Sequence, residues 1–161
     1  TKGRVKNQNM EFYAKHEKPH LDWPIVVLIN GGSASASEIV AGPLQDHQRA
    51  VVVGERTFGQ GIVRSLIQLK TGVGAMKLPI ATYYRPSGKS MNRFPNSKDS
   101  DDWGVTPDPD YEVVFTEDEL KQYEKARAES VVPIGEMAKP VFHDRQLEKA
   151  LEWVGAQLEK K

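Results

Sequence analysis

Ser35 lies in the run Asn30-Gly31-Gly32-Ser33-Ala34-Ser35-Ala36-Ser37-Glu38, directly after the apolar segment Ile25–Ile29. A buried strand that breaks at two glycines and restarts as a helix aims backbone N–H groups and a positive helix end at one point. A serine nucleophile or a bound anion fits such a point. A plain helix cap fits it too, because Ser35-Ala36-Ser37-Glu38 is a capping box. In that reading the serine hydroxyl satisfies an orphan N–H and Glu38 reaches back to residue 35. Residue types and spacing leave the readings open. A second signature is His16-Glu17-Lys18-Pro19-His20, with the histidine spacing of a helical zinc site. Pro19 falls inside the turn that would bring both histidines to the metal, where a proline costs about 3 kcal/mol. The segment therefore reads as a polar surface loop with no metal.

The elements that must position these residues follow from periodicity and chain breakers. Residues 1–23 are polar and irregular, and Lys18-Pro19 and Trp23-Pro24 oppose a long helix. A strand at 25–30 feeds a helix near 35–48, and Ala50-Val51-Val52-Val53-Gly54 makes the next strand. Strands near 62–69 and 75–84 alternate in part, as half-buried strands do. Residues 85–110 are rich in Pro, Ser, Asn and Asp and read as a long loop, functional or partly mobile. A strand at 111–115 leads into Thr116-x-x-Glu119, a capping box that opens a helix to about Ala128. A last helix begins near Asp144 and carries Leu147, Leu151, Val154 and Leu158 on one apolar stripe. Strands alternating with helices, and no internal repeat, point to an α/β fold.

Composition removes several classes of function. The 161 residues, 39% of them hydrophobic, suffice for one domain with a real core. Twenty-two basic residues balance 22 acidic ones, so no global field favours nucleic acid or an anionic membrane. With no cysteine there is no disulfide, zinc–thiolate site or cysteine nucleophile. No apolar run is long enough to cross a bilayer, and no signal peptide is expected.

The strings GGSASASEI, QDH, VVGERTFG, PSGKS and DWGVTPD together resemble the tail-specific, C-terminal processing serine proteases. The resemblance implies a crotonase-like or Clp-protease-like spiral of β-β-α units with C-terminal helices. It implies one partial catalytic core domain over residues 1–161, with 117–161 as its helical tail. The family's upstream peptide-binding PDZ module and signal peptide are not in this sequence, which reads as cut from something longer. The implied substrates are polypeptides with unstructured apolar C-terminal tails, with no cofactor and no nucleic acid. The implied location is the bacterial periplasm or cell envelope, and the oligomeric state is left open.

Residue by residue, the same resemblance assigns Ser35 as nucleophile and the N–H of Ala36 as one oxyanion donor. The second donor belongs to an upstream Gly-Gly turn that is absent here. Gly31 and Gly32, lacking side chains, leave room for a substrate backbone to approach closely, but they occupy a different family position. Asp46 matches a family aspartate and, with Glu38, is a supporting residue. The family's lysine base corresponds to Gln60, 25 residues beyond Ser35. A lysine serves as base when burial lowers its pKa, whereas a glutamine amide has no basic state near neutral pH. General-base help is commonly worth ~10²–10⁴ in rate, so Ser35 beside Gln60 is expected to be nearly inert.

No other residue is placed by the sequence to replace the base. His47 and Asp46 lie 12 and 11 residues past Ser35, and 12 residues on one continuous helix are about 18 Å of rise. Lys77 and Lys89 read as solvated. Glu55, Arg56 and Thr57 are expected to hold the loop carrying residue 60, and Phe58 and Gly59 to pack and turn. The segments 85–89 and 103–108 read as cleft walls or turns. Two rivals to a disabled protease core remain: a pseudoprotease or peptide-binding scaffold, and an acyl-thioester enzyme using the Gly-rich turn as an oxyanion site.

Overall fold

The computed structural model describes residues 1–3, 9–10, 23–70, 72–129 and 142–160. The His16–His20 string lies outside them. Strand β1 (Lys2–Gly3) is followed by β2 (Val26–Ile29), helix α1 (Ala36–Asp46) and β3 (Val51–Gly54). The hairpin β4 (Ile62–Gln68) and β5 (Ala75–Thr82) comes next, and helices α2 (Glu117–Glu129) and α3 (Arg145–Leu158) close the chain. Mixed helix and strand is thus as expected, with most element ends within two residues of the sequence reading.

β2 and β3 pair in parallel, Val26 opposite Val51 through Ile29 opposite Gly54, with α1 as the crossover. A parallel pair needs such a crossover, and it leaves the carboxyl ends of the strands free to present loops. The core sits between these strands and α1: Ile29, Ala41, Val52 and Val105 cluster there, with Val27 packed against them. α1 carries Pro43 in its interior and ends with Gln48 at φ 51, where Arg49 N–H reaches back to Leu44 O at 2.8 Å. That six-to-one bond is the Schellman way of satisfying a last-turn carbonyl. A second sheet, ordered β1-β5-β4, is antiparallel throughout.

Two expectations change. Residues 111–115 do not form a strand: Glu112 bridges Gly54, and Tyr111 O and Val113 N bond only to that residue's backbone at 3.1 and 2.8 Å. β3 ends at Gly54, φ 123, so no strand continues for 114 and 115 to pair with. The leucine stripe of α3 does not face the core. Leu147, Leu151 and Leu158 are exposed, Leu151 at 61%, while Gln146 (6%) and Ala150 (5%) are buried. The inward face is chosen by polar bonding and small size. Gln146 Nε2 donates to Val113 O at 2.8 Å and to Glu55 Oε1 at 3.4 Å, which suits a buried amide.

The helix starts are as read. Asp144 caps α3 by accepting from the N–H groups of Gln146 and Leu147, both at 3.0 Å. Thr116 and Glu119 form the reciprocal box before α2, at 2.7 and 3.2 Å.

Candidate functional site

The turn between β2 and α1 is tied by its own polar groups. Ser33 N–H donates to Asn30 O at 2.8 Å, Gly32 N–H to Asn30 Oδ1 at 2.9 Å, and Asn30 N–H to Ser33 Oγ at 3.1 Å. Ser33 is thereby a turn residue. The chain then passes through Ser35 at φ 54, ψ −109 before entering the helix. A positive φ at a residue bearing a Cβ costs of order 1–3 kcal/mol and persists when the surroundings over-determine it. Ser35 is therefore no ordinary cap: its side chain approaches the Glu38 N–H without meeting hydrogen-bond geometry, and the other half of the box carries the bonding. Glu38 Oε2 accepts from the Ser35 N–H at 2.8 Å. The sharp strand-to-helix turn leaves the Ser35 hydroxyl half-exposed beside the orphan N–H of Ala36, the first helical residue.

Glu38 is fully buried, and its carboxylate gathers the other half of the site. Oε1 accepts from Thr57 Oγ1 at 2.5 Å and Gly59 N–H at 2.8 Å. Oε2, already holding Ser35, accepts from the Gln60 N–H at 2.8 Å. Each nitrogen lies 2.8 Å from one oxygen, so the amides of residues 35 and 60 are at most twice that, about 5.6 Å, apart. Phe58 N–H adds a bond to Ser33 O at 2.9 Å. Residues 25 apart in sequence are thus brought side by side.

The loop 57–61 is held equally firmly from behind. A Cβ added at Gly59, φ 84, would sit 2.8 Å from Arg93 Cβ and 2.9 Å from Trp103. One added at Gly61 would sit 2.8 Å from Asn92 N. These two glycines flank Gln60 because backbone and rings occupy the space a side chain would need. Buried Thr57 accepts from Val105 N–H at 2.7 Å through the same hydroxyl that serves Glu38. Arg56 stacks on the Trp103 ring at 3.6 Å and donates to the carbonyls of Asp99, Asp101 and Trp103. The stretch 85–110 is accordingly tied down and forms the wall behind residue 60. Of the three residues expected to hold that loop, Arg56 and Thr57 do so; Glu55 instead accepts from Phe115 N–H and Gln146.

Asp46 lies at the far end of α1 from Ser35 and bonds elsewhere. Its carboxylate pairs with Arg85 at 2.5 Å and accepts from Ser87 N–H at 3.0 Å. Desolvation alone would raise its pKa, but the Arg85 hydrogen bond and the Ser87 N–H outweigh that and hold it below the usual 3.8. Arg85 crosses Gly42, where a Cβ would come within 3.3 Å of it. Asp46 is thus a helix-end anchor for the start of the loop. Gly31 and Gly32 are exposed, and a Cβ built on Gly31 meets no atom within 4 Å. The space beside the turn is open. Lys77 is exposed on β5, and Lys89 is paired with Asp102 at 3.1 Å. Among the described residues no cluster of His, Cys, Asp or Glu could hold a metal ion.

The sequence reading names Glu38, but only in a local capping and supporting role. Its larger role, binding residues 57 to 60, was not legible from the i, i+3 spacing that betrayed the cap. Chemically, the arrangement offers a hydroxyl at a helix N-terminus, an adjacent N–H donor, and an amide side chain at residue 60 that accepts and donates hydrogen bonds but takes no proton near neutrality.

The chain belongs to peptidase family S41, whose family model matches residues 1–111. It is 44% identical over 141 residues to a carboxy-terminal-processing protease of Bartonella bacilliformis, spanning 81% of this chain and 30% of that protein. It is 43% identical over 98 residues to a carboxyl-terminal-processing protease of Picosynechococcus sp., spanning 61% and 21%. A chloroplastic carboxyl-terminal-processing peptidase of Arabidopsis thaliana is 37% identical over 106 residues, spanning 66% and 19%. The chain thus covers less than a third of these relatives' lengths. Among solved structures, a photosystem II D1 C-terminal processing protease overlaps 56% of this chain and 20% of its own at 37% identity, with a TM-score of 0.47.

Proposed function

We propose that this chain is the catalytic core of a serine endopeptidase of the C-terminal processing class, built for a Ser–Lys dyad and impaired by glutamine at residue 60. The observation that carries the reading is the convergence of the Ser35 and Gln60 amides on one buried carboxylate oxygen. With lysine at 60, Ser35 Oγ would attack the scissile carbonyl while the neutral amine accepted its proton. Ala36 N–H would donate to the oxyanion, the protonated amine would return the proton to the leaving amine, and water would release the acyl group. With Gln60 the protein binds peptide and turns over little. On this reading residues 1–161 belong to one core domain of crotonase-like layout with 117–161 as a helical tail. Substrates are polypeptides with unstructured apolar C-termini, and the protein works in the bacterial envelope. Among the described residues no helix is long and apolar enough to cross a membrane.

Gln60 itself favours one second reading, a pseudoprotease that keeps the cleft for peptide binding. The two separate cleanly. The full-length protein and its Gln60→Lys variant are incubated with an unstructured protein ending in an apolar tail, and cleavage is followed by mass spectrometry. Cleavage by the variant alone supports the Ser–Lys reading. Equal cleavage by both refutes residue 60 as the base, and cleavage by neither, with both folded, selects the scaffold.

A further inference from the structure

We propose that Glu38 is the positioning residue of this site: one buried carboxylate fixes the separation and orientation of residues 35 and 60. The proposal rests on the reading above that those two positions carry the chemistry. A carboxylate is an acceptor with about four lone-pair sites, and Glu38 meets four donors: Thr57 Oγ1 and Gly59 N–H on Oε1, Ser35 N–H and Gln60 N–H on Oε2. It is fully buried yet makes no ion pair among the described residues. Its charge is balanced by those donors and by the helix start, since it stands in the first turn of α1.

Two features make this more than a cap. A cap serves its own helix, whereas three of the four donors belong to residues 57–60, 19 to 22 positions away. The shared oxygen also joins the two positions of interest and no others. Ser35 keeps its φ of 54 because its N–H is fixed on one side by Glu38 while its carbonyl is taken by the N–H groups of Glu38 and Ile39 at 3.0 Å. Movement of Glu38 would therefore release Ser35 from its strained conformation and residue 60 from its register together.

Glutamine tests the proposal because it keeps the shape and volume of glutamate. It has one accepting oxygen, and its NH2 group would face either the N–H groups of Ser35 and Gln60 or the Gly59 N–H and the Thr57 hydroxyl. In full-length protein with Gln60 unchanged, Glu38→Gln is expected to speed amide hydrogen exchange about tenfold or more at the amides that face the new NH2 group, either the Ser35 and Gln60 pair or Gly59. Val52 and Val53 in β3 should keep their protection. In the Gln60→Lys background the same change should lower kcat on the tail peptide about tenfold or more with KM within about twofold. Unchanged exchange at the Ser35, Gly59 and Gln60 amides overturns the proposal, as does a uniform rise that includes Val52 and Val53, which would make Glu38 merely structural. Should Glu38→Gln not fold, the unmutated protein decides: Ser35 and Gln60 amides exchanging as freely as exposed loop amides overturn the proposal, and protected ones uphold it. Site-local exchange with no cleavage by Gln60→Lys alone would sink the protease reading and leave the Glu38 coupling standing.

Discussion

Thr57→Val changes almost no volume but removes a hydroxyl that serves two buried partners. Thr57 Oγ1 donates to Glu38 Oε1 at 2.5 Å and accepts from Val105 N–H at 2.7 Å, in a residue only 2% exposed. Hydrogen bonds to a charged group are worth about 1.5–3 kcal/mol, and a buried N–H left unsatisfied costs about 1–3 kcal/mol. The two effects together predict a loss of about 3–5 kcal/mol, large beside the 5–15 kcal/mol that holds a typical domain. Thr57→Ser, which keeps the hydroxyl and gives up a methyl, should cost about 1 kcal/mol. Urea unfolding followed by circular dichroism reads the difference as a fall in midpoint at unchanged slope. A Thr57→Val loss below about 1 kcal/mol, or equal losses for the two variants, would refute the claim that the hydroxyl holds the site together.

Two more predictions test other parts of the frame. Gly59→Ala combines a φ of 84 with contacts at 2.8 and 2.9 Å, so it should cost about 2–4 kcal/mol. Gly72→Ala, at φ 69 in open space, should cost about 1–2 kcal/mol in the same urea unfolding assay. The acid response follows from Asp46. Its folded pKa is depressed, so its contribution is present above the unfolded value near 3.8 and is lost as pH falls through the lower folded value. Asp46→Asn should therefore destabilise at neutral pH and flatten the stability loss below about pH 4, measured by urea titrations from pH 2 to 7.

How much of this was legible in the sequence depends on the range of the interaction. Local rules worked: Thr116-x-x-Glu119 and Asp144 are caps in fact, and the parallel β2-α1-β3 unit follows from apolar runs and a glycine break. The α3 stripe failed because periodicity counts apolar residues, and the face that docks on β2 and β3 is chosen by Ala150 and by the two hydrogen bonds of Gln146. Glu38 was half legible: its reach to Ser35 has a local spacing, and its reach to Thr57, Gly59 and Gln60 has none. The wall around Trp103 was recognised only as a string. Its function as a brace comes from Arg56 and from the glycines at 59 and 61, whose neighbours are 30 or more positions away.

Residue 60 is held by its backbone N–H and by the two glycines beside it, and among the described residues no bond to its side chain contributes. The position of residue 60 is therefore set by its backbone and its neighbours rather than by a bond to its side chain. On the reading proposed above, glutamine and lysine at residue 60 would share this backbone frame, and because their codons differ by a single base, one mutational step would separate an inert amide from a working base.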